Sequence, residues 1–261
     1  MFQLFRHKGN RKKRPWGYEI ILGKAKKEDG NFGYENSFLS FASLFVIMDT
    51  KQRIQLKTHD LVMQYGVRSV SMDDIAASLG ISKKTLYQYY ADKDELVNAI
   101  VESELKKTEE DCIVCHTGSG NAIDEMFLMM ERIYDQFRNM NPMVLYDLQK
   151  FHPVAFDKFL KHKNDFLFKS IKENIERGVK EELYRSEINI DVITKYRLDA
   201  MLIPFNIILF PPGKYNLADV TKETMELFLY GLCTLKGYKL ILKYKSTQIK
   251  KSLTHDKKMV H

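Results

Sequence analysis

Between Ser71 and Asp92 the chain signals three helix starts, a density of punctuation that few folds accommodate. Ser71 precedes "MDDIAASL", and Asp74 stands where a capping box needs its acidic partner. Ile75, Ala76 and Leu79 recur on one face, and Gly80 supplies the stop. Ser82 caps a second short helix that buries Leu86 and Tyr90. Asp92 with Glu95 then opens a longer helix carrying Leu96, Val97, Ile100 and Val101. Upstream, "MDTKQRIQLKTHDLVMQYG" puts Ile54, Thr58, Leu61, Val62 and Tyr65 on one helical face and ends at Gly66. Two short helices across a glycine turn, with a supporting helix on either side, outline a helix-turn-helix.

In that geometry the second helix enters the major groove, N-terminal end first. Lys83, Lys84 and Thr85 occupy that end. Lysine donates to the acceptors of guanine, threonine bonds a base or phosphate or touches a thymine methyl, and free helix amides favour phosphate. Tyr87 and Tyr89 lie off the Leu86/Tyr90 face, so their hydroxyls are placed for the backbone. Lys93 opposes the dipole of the helix it begins, which suggests a phosphate contact instead. Taken singly, lysines are more often solvated and tyrosines more often packed; as an ordered set in this frame they read as an interface.

Residues 54 to 97 resemble the DNA-binding domain of the tetracycline-repressor (TetR) family, through "DDIA", "LGIS", "TLYQYY" and "DKDEL". The resemblance implies an all-α chain: a three-helix helix-turn-helix domain, then a helical ligand-binding and dimerisation domain. It carries the family's DNA contacts onto Lys83, Lys84, Thr85, Tyr87, Tyr89 and Lys93, with Ser71 capping the preceding helix. Thr58 departs from the family's usual alanine, tolerably, because its hydroxyl can bond the preceding turn. The long leader also departs. Residues 1–47 have no sustained helical periodicity and read as a poorly ordered extension, with Met48 as an alternative start. The remaining boundaries are 48–98 for DNA binding, 99–245 for effector binding and dimerisation, and 246–261 for a basic tail.

The formal net charge of +7 suits a polyanionic partner, although the surplus sits mostly in "RHKGNRKKRPWG" and "KYKSTQIKKSLTHDKK" at the two ends. No apolar run reaches the roughly 18 to 20 residues that span a bilayer. "SFLSFASLFVIM" has the length of a signal-peptide core but lies internally, so a cytoplasmic protein is expected.

Helical periodicity continues through Asn121–Met140, Pro142–Phe151, Pro153–Arg177, Asp191–Phe210 and Asp219–Tyr230. Phe127, Met130, Tyr134, Phe137, Tyr146, Phe166 and Phe205 are candidates to surround an apolar effector pocket, which suits a hydrophobic or amphipathic molecule. Aromatic and methionine stripes at helical spacing are first of all packing, so core is the commoner explanation of each. The family resemblance implies that the last two long helices pair two subunits, through Leu198, Met201, Leu202, Met225, Phe228, Leu229 and Leu232. Homodimerisation on a double-stranded, pseudo-palindromic DNA operator follows, with release by an unidentified small molecule.

"CIVCH", residues 112–116, matches a haem-attachment pattern and a redox or zinc pair. Only Cys233 remains to complete a zinc site, and it is distant in sequence. The alternative to the regulator is therefore an exported haem or thiol-redox protein; the blander reading makes both cysteines small apolar fillers. His116, His152 and His162 form no evident catalytic arrangement, and no metal, cofactor or enzymatic activity is expected.

Overall fold

The computed structural model describes residues 49–258, with side chains described through residue 247. The expected extension over 1–47, with Met48 as start, lies outside the described residues. Helix α1 (Thr50–Tyr65) opens at Asp49, whose carboxylate accepts the Gln52 amide at 2.8 Å while the Gln52 side chain accepts the Asp49 amide at 3.3 Å. Helix α2 (Met72–Leu79) has the same reciprocal cap between Ser71 and Asp74. Gly80 then turns the chain with a left-handed φ of 66°, which a side chain would oppose. Helix α3 (Lys83–Tyr89) is capped by Ser82, and α4 (Lys93–Gly118) by Asp92.

These caps matter because α2 and α3 are each too short to persist alone. Packing supplies the rest. Ile54, Ile75, Leu86 and Leu96 are completely buried in one core, each contributing about 1.5–3 kcal/mol over an exposed position. Thr58 sits in the same core, whereas Tyr65, expected on the inward face, is 52% exposed.

The remainder is helical: α5 (Ala122–Phe137), α6 (Met143–Phe151), α7 (Pro153–His162, continuing through Lys163–Leu167 and Phe168–Lys180), α8 (Ile190–Ala200), α9 (Leu217–Leu232) and α10 (Leu235–Lys258). Among the described residues there is no strand, only two isolated bridges. The N-terminal core does not stop at α4, because Val144, Leu148 and Ala155 of α6 and α7 belong to it. A second core joins α5, α7, α9 and α10 through Ile123, Phe127, Ile175, Leu229 and Ile241.

Three expectations need revision. The helix from Asp191 ends at Ala200 rather than Phe210, because Pro204 has no amide to continue the ladder; Ile203–Phe205 form a single 3-10 turn. The helix from Pro153 contains a π turn at Lys163–Leu167. Helix α10 runs through Lys258, so no break in secondary structure separates residues 245 and 246.

Candidate nucleic-acid interface

Helix α3 is held by its inner face. Leu86 is fully buried and Tyr90, its C-cap, is 2% exposed, which leaves Lys83, Lys84, Tyr87 and Gln88 outward on adjoining turns. Lys83 pairs with Asp73 of α2 at 2.8 Å, and that carboxylate raises its pKa. Lys84 is exposed, as are Tyr87 and Tyr89. Thr85 is half-buried, its hydroxyl 2.8 Å from that of Ser82. Ser71 serves as the cap of α2. Gln88 escaped the sequence reading, although its spacing from Lys84 puts it on the same face; an amide there matches the donor–acceptor edge of adenine.

Lys93 does not join this outward set. Its ammonium turns back to donate to the Val67 carbonyl at 2.7 Å, and burial lowers its pKa. The unfavourable dipole position is thus explained by an internal bond rather than by a phosphate contact. The loop it holds is also tied to the C-terminal half. Asp147 of α6 accepts the Arg68 amide at 2.9 Å, and the Asn141 amide donates to the Met63 carbonyl at 2.7 Å. A Cβ on Gly66, where φ is 87°, would lie 3.2 Å from the Asp147 carboxylate. His152, between α6 and α7, meets Asp94 of α4 at 2.5 Å.

Residues 57–100 match the family model described as bacterial regulatory proteins, tetR family. Those residues therefore form a helix-turn-helix segment similar to that of the tetR family. It is 37% identical over 116 residues to an uncharacterized HTH-type transcriptional regulator of Bacillus subtilis (strain 168), YvaF, covering 42% of this chain and 60% of that relative. The match therefore spans less than two thirds of that relative's length. A TetR-family transcriptional regulator from Marinobacter aquaeolei shares the fold at a TM-score of 0.62 and 16% identity, covering 77% of this chain and 98% of that one. The ketosteroid transcriptional regulator KstR2 of Mycobacterium tuberculosis does so at 0.53 and 15%, covering 72% and 97%.

Behind the helix-turn-helix the chain encloses a cavity of about 230 Å³ walled by α1 and α4 to α9. Phe137 and Phe205 line it, their rings edge to face at 5.3 Å. The other expected pocket residues do not. Phe127 and Met130 are buried in the second core, Tyr134 reaches Asp219 on the surface, and Tyr146 is 46% exposed. Phe166 stands behind His162, which does line the cavity. The cause is a choice between two stripes of α5: Met129, Ile133 and Gln136 face the cavity, while Ile123, Phe127 and Met130 face α9 and α10.

The expected dimer residues are also redirected. Met225, Leu229 and Leu232 are at most 2% exposed within one chain, Leu198 is 4% exposed, and Met201 and Leu202 line the cavity. Phe228 is half-buried between Tyr196 and Arg197. The apolar groups that do face out on α8 and α9 are Val192, Tyr196 and Leu227.

Cys112 and Cys115 turn into the protein near the end of α4, and burial raises both thiols, Cys112 to about 11. Among the described residues no group of His, Cys, Asp and Glu is arranged to hold a metal ion. His116 instead meets Glu125, which also accepts from Arg177 at 3.0 Å. Among the described residues no helix is long and apolar enough to cross a membrane.

Proposed function

We propose that the chain is a cytoplasmic, dimeric transcription regulator that reads double-stranded DNA with α3 and is released from its operator by a small molecule. The outward set on α3 carries the reading: Lys83, Lys84, Tyr87 and Gln88 project from a helix anchored by Leu86 and Tyr90. Lysines supply phosphate and guanine contacts, the tyrosine hydroxyl a backbone contact, and the glutamine a base edge. Val192, Tyr196 and Leu227 supply an apolar surface for a second copy, which would set the spacing of two reading helices.

Release at a distance is supported by the cavity wall. Val62, Met63 and Val67 come from α1 and its loop, so a ligand in the cavity touches the domain that carries α3. A ligand that binds better to a conformation with the two reading helices wrongly spaced depletes the DNA-bound population. Fluorescence anisotropy with fragments of the chain's own promoter region tests the reading. Salt-sensitive, sequence-selective binding is expected, and equal affinity for scrambled DNA would sink it.

A further inference from the structure

We propose that the cavity takes an amphipathic anion, whose carboxylate or phosphate oxygens engage Arg197 while its hydrocarbon part fills the apolar wall. This rests on the reading of the cavity as the effector site and specifies the class of effector.

The cavity wall holds several polar groups, and most are already satisfied. Glu104 lies 3.1 Å from the Gln136 amide and 3.2 Å from His59. Asp111 is paired with Arg132, and Thr221 donates to the Leu217 carbonyl at 2.7 Å. Arg197 differs. It is 7% exposed and lines the cavity from α8, yet among the described residues its guanidinium has no hydrogen bond or ion pair. Its described neighbours of electrostatic consequence are the Phe228 ring, 5.5 Å from the guanidinium carbon, and Tyr196 on the same helix, neither of which supplies an anionic acceptor at neutral pH. His162 stands on the same wall with neither ring nitrogen hydrogen-bonded; its Nε2 is 3.4 Å from a Glu109 oxygen, outside hydrogen-bond geometry.

A buried guanidinium does not escape its cost by losing a proton. Burial lowers the Arg197 pKa only to about 10, so the charge persists at neutral pH. A ring face offsets part of the lost hydration, but it leaves the planar fork of N–H donors without acceptors. Paired oxygens of a carboxylate or phosphate match that fork, and a neutral or cationic group does not. Much of the rest of the wall is apolar, with Val62 and Val67 from α1 and its loop and Val144 and Leu148 from α6. An unpaired cation in an enclosure that is largely apolar and whose carboxylates are already partnered selects a ligand of the complementary kind: one anionic end on a hydrocarbon body.

Isothermal titration calorimetry of the full chain with decanoate, decyl phosphate, decanol and decyltrimethylammonium tests this. At least one anion should bind about 10- to 100-fold more tightly than decanol, the gain expected of a charged hydrogen bond, and the cation should bind least. In Arg197→Met the preference should collapse, and Arg197→Lys should keep part of it. Anion binding no tighter than decanol, or a preference that survives in Arg197→Met, overturns the proposal; so does failure of both anions to bind. Thermal melting of the ligand-free proteins gives a second readout. Arg197→Met should melt at or above the parent because an unpaired buried charge is gone, and a lower melting temperature would make Arg197 a structural residue. Promoter anisotropy on the same samples separates the two readings. Intact DNA binding that decanol and the anions weaken equally would leave the effector site standing and remove only the anion, whereas absent DNA binding would remove the regulator itself.

Discussion

Asp147 of α6 accepts the backbone N–H of Arg68 at 2.9 Å, so a buried carboxylate of the C-terminal half fixes the loop between α1 and α2. Asp147→Ala leaves that amide without its partner and should cost about 1–3 kcal/mol in urea denaturation. Operator affinity should fall with it, because the loop positions α2 and α3. Unchanged stability would mean that the contact is dispensable.

Lysines 84 and 93 should part company. Lys84→Ala, on the exposed face, should weaken binding across all sequences and reduce the slope of log affinity against log salt by about 1. Lys93→Met removes the bond to the Val67 carbonyl, so it should lower the melting temperature while leaving the slope unchanged. An altered slope in Lys93→Met would restore Lys93 to the interface.

His59 of α1 is half-buried, and its desolvation alone would lower its pKa, but Asp60 and Glu104 outweigh that and raise it to about 9. A folded-state pKa above the unfolded value near 6.5 stabilises fully below about pH 6.5 and is lost as pH rises through 9. The contribution is on the order of 3 kcal/mol. Melting temperature should therefore decline between these limits, and His59→Gln should flatten the decline. A parallel decline in the variant would refute the assignment.

Leu227 and Leu229 sit two residues apart on α9 and should fail differently. Leu227 is 73% exposed, so Leu227→Glu should shift sedimentation from dimer towards monomer with melting little changed. Leu229 is 1% exposed, and Leu229→Ala should cost about 2–5 kcal/mol of folding stability. A stable dimer in Leu227→Glu would move the interface elsewhere.

Cys112 and Cys115, buried with raised thiols, should be poor targets for oxidants at neutral pH. Operator affinity should be the same with and without diamide, in the parent and in a Cys112→Ser, Cys115→Ser variant. A diamide effect present only in the parent would revive a thiol switch.

The N-terminal helices were legible because their signals are local. Ser71, Ser82 and Asp92 cap by bonding amides a turn away, and nothing distant changes that. The cavity was not legible for the opposite reason. Helix α5 carries two apolar stripes, and which one faces a hole rather than a core depends on α9 and α10 packing against Phe127. Lys93 misled in the same way: its dipole conflict is visible in sequence, but the Val67 carbonyl that resolves it arrives only with the tertiary fold. Likewise, the apolar residues of α9 announced burial without saying whether it would be inside one chain or between two.

Helix α7 belongs to two cores at once, Ala155 to one and Ile175 to the other. Its inward positions include Ala155, Phe159, His162, Leu167, Ile171, Ile175 and Gly178, spaced by three or four places except for the five between His162 and Leu167, where Lys163 is buried as well. That step coincides with the π turn at Lys163–Leu167. The turn absorbs one surplus residue, as a vernier absorbs a mismatch between two scales, so each half of an unbroken rod keeps its inward face on its own core. The correction falls beside His162, at the cavity wall, where the two scales are read against each other.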